Sequence, residues 1–336
     1  MTQQAVSTMT EALSQIWRRV LRRSSIRMED NFFELGGDPW LAVEIFAAIR
    51  KEYGRELSPL VIYNAPTIAT LAAVLRQPVA PRIPALLPMS AGSDQQPVFV
   101  AHGLGGNVME FFEFARYIRS RHPIYGMQAR GTDGVDEPLN RIEDMAQFYL
   151  AAIKDLQLNG PYLLIGYSLG GLVVLEMAQR LSEMGEEVQL LAMVDAYPHC
   201  RHLSIRQRAR LITRRAGRRA SAIGKRFLSL SREKKGQEAE RPPIGASFTP
   251  AMQRVREKSY QALLRYRPRP YKGEIKFVKA EEVSSFPDDP TSVWAHLANK
   301  FEVETVPGDH KEILTMHFRE LASVLSRYLQ EAIGSQ

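Results

Sequence analysis

Ser168 stands in Gly166-Tyr167-Ser168-Leu169-Gly170, followed by Gly171, where the glycines permit a strained turn that projects a hydroxyl. A strand-like run precedes it and a helix-like run follows. The serine therefore falls at a helix N-terminus, whose dipole and free N–H groups favour developing negative charge. A serine hydroxyl is a weak nucleophile until a base takes its proton, and the base needs an orienting carboxylate. Seven histidines could be that base: His102, His122, His199, His202, His296, His310 and His317. Turns of this kind run in the chain order nucleophile, acid, histidine, so the base should come late. His310 follows the strand-like EVETV and precedes the helix-like KEILTMHFRELASVLSRYL, which puts it at the carboxyl edge of a sheet. His317 falls inside that helix and reads as a surface or packing residue. Asp195 directly ends the strand-like LLAMV and is a candidate acid. Glu281, Glu282, Asp288 and Asp289, after the strand-like EIKFVKA, compete with it. His102 lies in a glycine-rich loop too early in the chain and reads as loop architecture.

These residues need a frame, and the sequence supplies an alternating one. QPVFVAHGLGGN, PYLLIGYSLGGLVVLEMAQRL, VQLLAMVDAY and EIKFVKA interleave apolar strands with helix-like stretches, as an α/β sheet would. Ahead of them Pro78, Pro81, Pro84, Pro88 and Pro97, with Gly92 and Ser93, read as a semi-extended linker. The segment before the linker reads helical. Leu13, Ile16, Trp17, Val20 and Leu21 recur at helical spacing, and Trp40, Leu41, Val43, Ile45, Phe46 and Ile49 mark a second helix. Asp38 suits its N-cap and Pro39 its first turn. A short piece around Leu60–Tyr63 and a helix from about Thr67 to Leu75 complete a small bundle. A length of 336 residues, against about 150 for one domain, fits one large domain plus a small one.

Composition narrows the class further. Hydrophobic residues at 45% and charged residues at 24% are an ordinary globular balance, against disorder or a fibre. Residues 156–175 lack charge, but Asn159, Gly160, Pro161, Gly166, Gly170 and Gly171 interrupt them, so no membrane span is expected. The N-terminus has no basic-then-apolar signal pattern, and the reading is a soluble, cytoplasmic protein. Cys200 is the only cysteine, which excludes an intramolecular disulfide and a multi-cysteine zinc site; no metal is expected. It reads as a small structural or lid residue. The net charge of +7 is concentrated: residues 201–241 hold 14 Lys/Arg against 3 Glu. Only Phe227 interleaves an aromatic ring there, which disfavours nucleic acid and leaves a solvated face or a contact for an anionic partner.

DNFFELGGDPW, preceded by IWRRVL and followed by NAPTIATLAAVL, resembles a carrier domain of nonribosomal peptide synthetases over residues 8–77. The family pattern has an arm-bearing serine where Pro39 stands and usually a leucine where Trp40 stands. No serine occurs between Asn31 and Arg50, so the resemblance implies a pseudo-carrier that keeps its fold and cannot carry a phosphopantetheine thioester. Residues 97–333 resemble a type I thioesterase domain of peptide or polyketide synthetases, with GYSLGG, MVDAYP and GDHKEIL matching its catalytic motifs in order. The implied fold is a small all-α four-helix carrier-like bundle, a Pro-rich linker over 78–96, and an α/β-hydrolase domain with a helical lid over about 197–250. The implied roles are Ser168 as nucleophile, Asp195 as acid and His310 as base, with the N–H groups of Leu104 and Leu169 as oxyanion donors. The resemblance further implies no covalently bound cofactor. The substrate would arrive on the arm of a separate carrier protein, and an acyl or peptidyl chain would be released by hydrolysis or cyclisation. An esterase, an acyltransferase to a small amine or alcohol, and a non-catalytic docking protein for a synthetase are the alternatives. Because Met1 stands just before the first helix, a free-standing protein is expected.

Overall fold

A computed structural model describes residues 3–334, except Ala80, Gln95, Arg210, residues 212–248, residues 283–286 and Asp288. Four helices come first: α1 (Gln3–Leu21), α2 (Pro39–Tyr53), α3 (Val61–Asn64) and α4 (Ile68–Arg76). Asp38 caps α2 by accepting the Leu41 N–H at 2.8 Å, and Pro39 takes the first turn, where no intrahelical donor is needed. Gly54, in the left-handed region at φ 63°, ends that helix. Thr67 and Thr70 form a reciprocal capping box on α4. Leu13, Trp17, Phe32, Ile45, Ile49 and Leu71 are buried among these elements, and the Trp17 ring meets Phe32 edge-on at 5.6 Å.

The rest is built on a seven-stranded sheet of order β1-β3-β2-β4-β5-β6-β7. Its strands are β1 (Leu86–Ser90), β2 (Val98–Ala101), β3 (Ile124–Met127), β4 (Tyr162–Tyr167), β5 (Val188–Val194), β6 (Tyr271–Ala280) and β7 (Ala298–Val306). Only β1 runs antiparallel. It lies within the stretch read as linker, so that stretch also supplies the edge of the sheet. Pro88 is tolerated there because an edge strand leaves one side of its backbone unpaired.

Residues along β4 alternate between two cores. Leu163, Ile165 and Tyr167 join one face, whereas Tyr162 and Leu164 join the other. The second face is covered by α6 (Ile142–Leu156), α7 (Leu169–Glu183) and α8 (Pro250–Arg265), which follow the short α5 (Phe112–Ala115). The first face is covered by α5 and by the C-terminal helix α11 (Phe318–Gly334), which follows the short α9 (Pro290–Trp294) and α10 (Glu312–Thr315). That core continues without a break into the N-terminal bundle. The junction is aromatic: Tyr63 stacks on Phe33 at 4.9 Å and on Phe112 at 4.5 Å.

The helical stretch expected after His310 is broken. Helix α10 stops at Thr315, and α11 starts at Phe318. His317 therefore sits at the break, with its ring against the Gly308 turn, and not inside a helix. Its N–H and that of Met316 both turn back to the Glu312 carbonyl, which ends the regular ladder. Most of the region expected as a lid, 197–250, lies outside the described residues, as do Arg214, Arg215, Arg218 and Arg219 of the basic run. No described helix is long and apolar enough to cross a membrane.

The tight junction of β2 with the start of α7 makes a testable demand. A Cβ on Gly170 would run into the main-chain oxygens of Ala101 and His102. Gly170→Ala should therefore lower the denaturant midpoint, by about 1–3 kcal/mol of stability. Gly334→Ala, whose methyl would meet nothing within 4 Å, should leave the midpoint unchanged.

Candidate active site

Parallel strands put their carboxyl ends on one edge, and the residues singled out from sequence follow those ends. His102 follows β2, Ser168 follows β4, Asp195 follows β5, and His310 comes four residues after the end of β7. Ser168 takes φ 54° and ψ −117°, a region that non-glycine residues avoid, and Asp195 takes φ 43°. Each is held by the next strand. The Ser168 N–H donates to the Val194 carbonyl at 2.8 Å, and the Asp195 N–H donates to the Val278 carbonyl at 2.7 Å. The turn thus has an external scaffold that offsets its backbone strain.

His310 and Asp195 meet. Asp195 Oδ2 lies 2.7 Å from His310 Nδ1, and its Oδ1 accepts the Ala280 N–H at 3.3 Å. The Asp195 side chain is 5% exposed and the His310 side chain 18%. Among the competing acids, Glu281 and Glu282 have exposed side chains. They contribute main-chain N–H groups to the Val306 and Gly308 carbonyls. Asp289 caps α9 by accepting from the Ser292 N–H, and Asp288 lies outside the described residues. Position after a strand could not separate these acids in sequence; of Asp195, Glu281, Glu282 and Asp289, Asp195 is the one that meets His310.

Tyr167 was not singled out in the sequence beyond its place in the glycine motif. Its hydroxyl donates to the His310 carbonyl at 2.6 Å, and its ring stacks on the imidazole at 4.9 Å. Burial pushes its phenol well above the usual range, helped by the negative charges of Glu110, Asp195 and Asp309, so it remains a donor. Glu110, in the turn after the glycine-rich loop, was also missed. Burial raises its pKa against the opposing pull of His310 and Lys311. No spacing pattern announces it.

Leu169 is the first residue of α7, and Leu104 lies in the loop after β2. Gly103 packs so closely that a Cβ there would lie 2.9 Å from the Tyr167 ring and 3.8 Å from Ser168 Cβ. His102 is 1% exposed, and its ring bridges Gly103 and Tyr149. Cys200 lies in a single turn of 3-10 helix beside His199. Pro39 belongs to the bundle, where it is buried in the first turn of α2. Among the described residues, no group of three His, Cys, Asp or Glu side chains could hold a metal.

Comparison with known proteins agrees with this architecture. The family described as thioesterase domain matches residues 96–329, and the phosphopantetheine attachment site family matches residues 11–75. A dimodular nonribosomal peptide synthase of Bacillus subtilis (strain 168) is 40% identical over 190 residues, covering 56% of this chain and 8% of that protein. The malpibaldin synthetase of Mortierella alpina is 27% identical over 329 residues, covering 94% of this chain and 6% of that protein. An inactive atromentin synthetase of Paxillus involutus is 32% identical over 204 residues, covering 58% of this chain and 22% of that protein. The chain thus spans under a quarter of the length of each of these relatives. Among solved structures, the four-domain nonribosomal peptide synthetase holo-AB3403, bound to AMP and glycine, aligns with 96% of this chain and 26% of its own. Its TM-score is 0.59 at 23% identity. The type II thioesterase BorB from the borrelidin biosynthetic cluster aligns with 73% of this chain and 97% of its own, with a TM-score of 0.52 at 17% identity. These two likenesses speak for the fold. The sheet, the elbow at its carboxyl edge and the match over residues 96–329 establish that this chain belongs to the thioesterase domain family, with a carrier-type domain ahead of it.

Proposed function

We propose that this protein is a serine thioesterase that takes an acyl or peptidyl chain from the phosphopantetheine thioester of a separate carrier. The observation that carries this reading is the 2.7 Å contact between Asp195 and His310 at the sheet edge where Ser168 is held in its strained turn. Asp195 keeps the His310 proton on Nδ1, which leaves Nε2 to accept the Ser168 proton as the hydroxyl attacks the thioester carbon. The developing oxyanion is received by the N–H groups of Leu104 and Leu169. His310 then returns the proton to the departing thiol, leaving an ester on Ser168. Attack on that ester by water gives an acid; attack by a hydroxyl or amine of the chain itself gives a ring, and exclusion of water favours the ring.

The chemistry of position 39 supports delivery in trans. A phosphodiester arm needs a hydroxyl, Pro39 has none, and residues 31–50 contain no serine. The bundle itself, with 9 basic and 8 acidic residues over 1–78, is nearly neutral.

Four outcomes are expected. Ser168→Ala should abolish turnover of acyl thioesters, and Asp195→Asn should lower kcat about 10⁴-fold with circular dichroism unchanged. Glu281→Gln and Glu282→Gln should stay close to the parent; a severe loss there with a mild Asp195→Asn would reassign the acid. Intact mass after incubation with coenzyme A and a promiscuous phosphopantetheinyl transferase should show no added arm on residues 31–50. Faster turnover of simple esters than of matched thioesters would favour a general esterase instead.

A further inference from the structure

A polar pair joins the loop after β2 to α6, and the mechanism above leaves it without a task. His102 and Tyr149 are each 1% exposed, and they hold each other at 2.7 Å between His102 Nε2 and the Tyr149 hydroxyl. His102 Nδ1 lies 2.6 Å from the Gly103 carbonyl oxygen. Burial lowers the His102 pKa to about 4, although the bond to Gly103 pulls the other way, so the ring is neutral near pH 7 and carries one proton. A carbonyl oxygen only accepts, so that proton is on Nδ1. Nε2 is then bare and accepts from the Tyr149 hydroxyl, whose own proton burial secures by raising its pKa well above the usual range. The tautomer is thus fixed from both sides.

The Gly103 carbonyl has a second donor, the Gly106 N–H at 3.1 Å. Two donors on one oxygen fix the plane of the Gly103–Leu104 peptide. Because that unit is planar and trans, its N–H points opposite its carbonyl. Holding the Gly103 oxygen therefore aims the Leu104 N–H. The peptide lies beside the elbow, since the Gly103 backbone rests against the Tyr167 ring next to Ser168. An apolar pair of similar shape would fill the same space without the desolvation cost of a buried imidazole and phenol.

We propose that His102, locked by Tyr149, is a positioning residue that aims the Leu104 N–H at the oxyanion formed on attack by Ser168. This rests on the reading of Ser168 and Leu104 given above. A group acting only through an oxyanion donor changes the transition state and leaves ground-state binding alone.

Asparagine and glutamine separate the two ends of the ring. His102→Asn can place its amide N–H where Nδ1 stands, facing Gly103, whereas His102→Gln reaches only toward Tyr149. With the full chain and a small acyl thioester, His102→Gln and His102→Leu should lose about 10²–10³-fold in kcat at unchanged KM. His102→Asn should recover at least tenfold of that loss. Affinity for a boronic acid that forms a tetrahedral adduct on serine should fall in step with kcat/KM across the series. Equal activity of the Asn and Leu variants, or kcat within threefold of the parent for Gln and Leu, would overturn the proposal. So would a boronate affinity that does not move. Should the His102 variants fail to fold, Tyr149→Phe, which removes one oxygen, decides: about a tenfold loss in kcat is expected, and an unchanged kcat refutes it. Ser168→Ala is run alongside. Turnover surviving in that variant would overturn the reading of the site itself, a result distinct from any pattern among the His102 variants.

Discussion

Tyr167 is the contact through which the candidate site is one object. Its hydroxyl ties down the His310 main chain, its ring lies flat on the imidazole, and it also meets Phe111 edge-on and lies against Gly103. It also precedes Ser168 directly. A displacement of this ring would move His310, the loop after β2 and the elbow together. Stacking a buried phenol on His310 also shields one face of the imidazole from water, while its Nδ1 edge faces Asp195.

Strain at the elbow is distributed, not local. Ser168 and Asp195 both have positive φ, which costs about 1–3 kcal/mol each for non-glycine residues. The bonds from Ser168 to β5 and from Asp195 to β6 extend the parallel ladder one step beyond the ends of the strands. The Glu281 N–H repeats the pattern by reaching Val306 on β7. Successive strands thus brace one another where their side chains must leave the sheet. Parallel pairing serves this arrangement because it brings the carboxyl ends of β4, β5 and β7 to the same edge.

Much of this was legible in the residues. The glycines around Ser168 dictate a turn, and a histidine after a late strand must fall on the same sheet edge. The choice of acid was not legible, since Asp195, Glu281 and Glu282 all follow strands, and only folding shows which of them turns inward. Tyr149 was invisible as a partner because it lies 47 residues from His102, on a helix whose apolar spacing hides a phenol among leucines and isoleucines. The strand within the proline-rich stretch escaped because proline argues against strands except at an edge, and edge status is a property of the sheet. The break before α11 escaped as well, since KEILTMHFRELASVL has no proline or glycine to announce it.

The Phe33–Tyr63–Phe112 stack has a consequence for mobility. A carrier that loads and unloads must visit several stations, and that requires a reversible grip at each. Here the bundle shares a continuous core with the sheet face, and the connecting chain is itself tied into the sheet from Leu86 onward. A domain held on so short a leash has an effective concentration of about millimolar or more at its own docking surface. Any second protein approaching that surface competes with a resident that cannot diffuse away, and must bind by another route or pay to dislodge it.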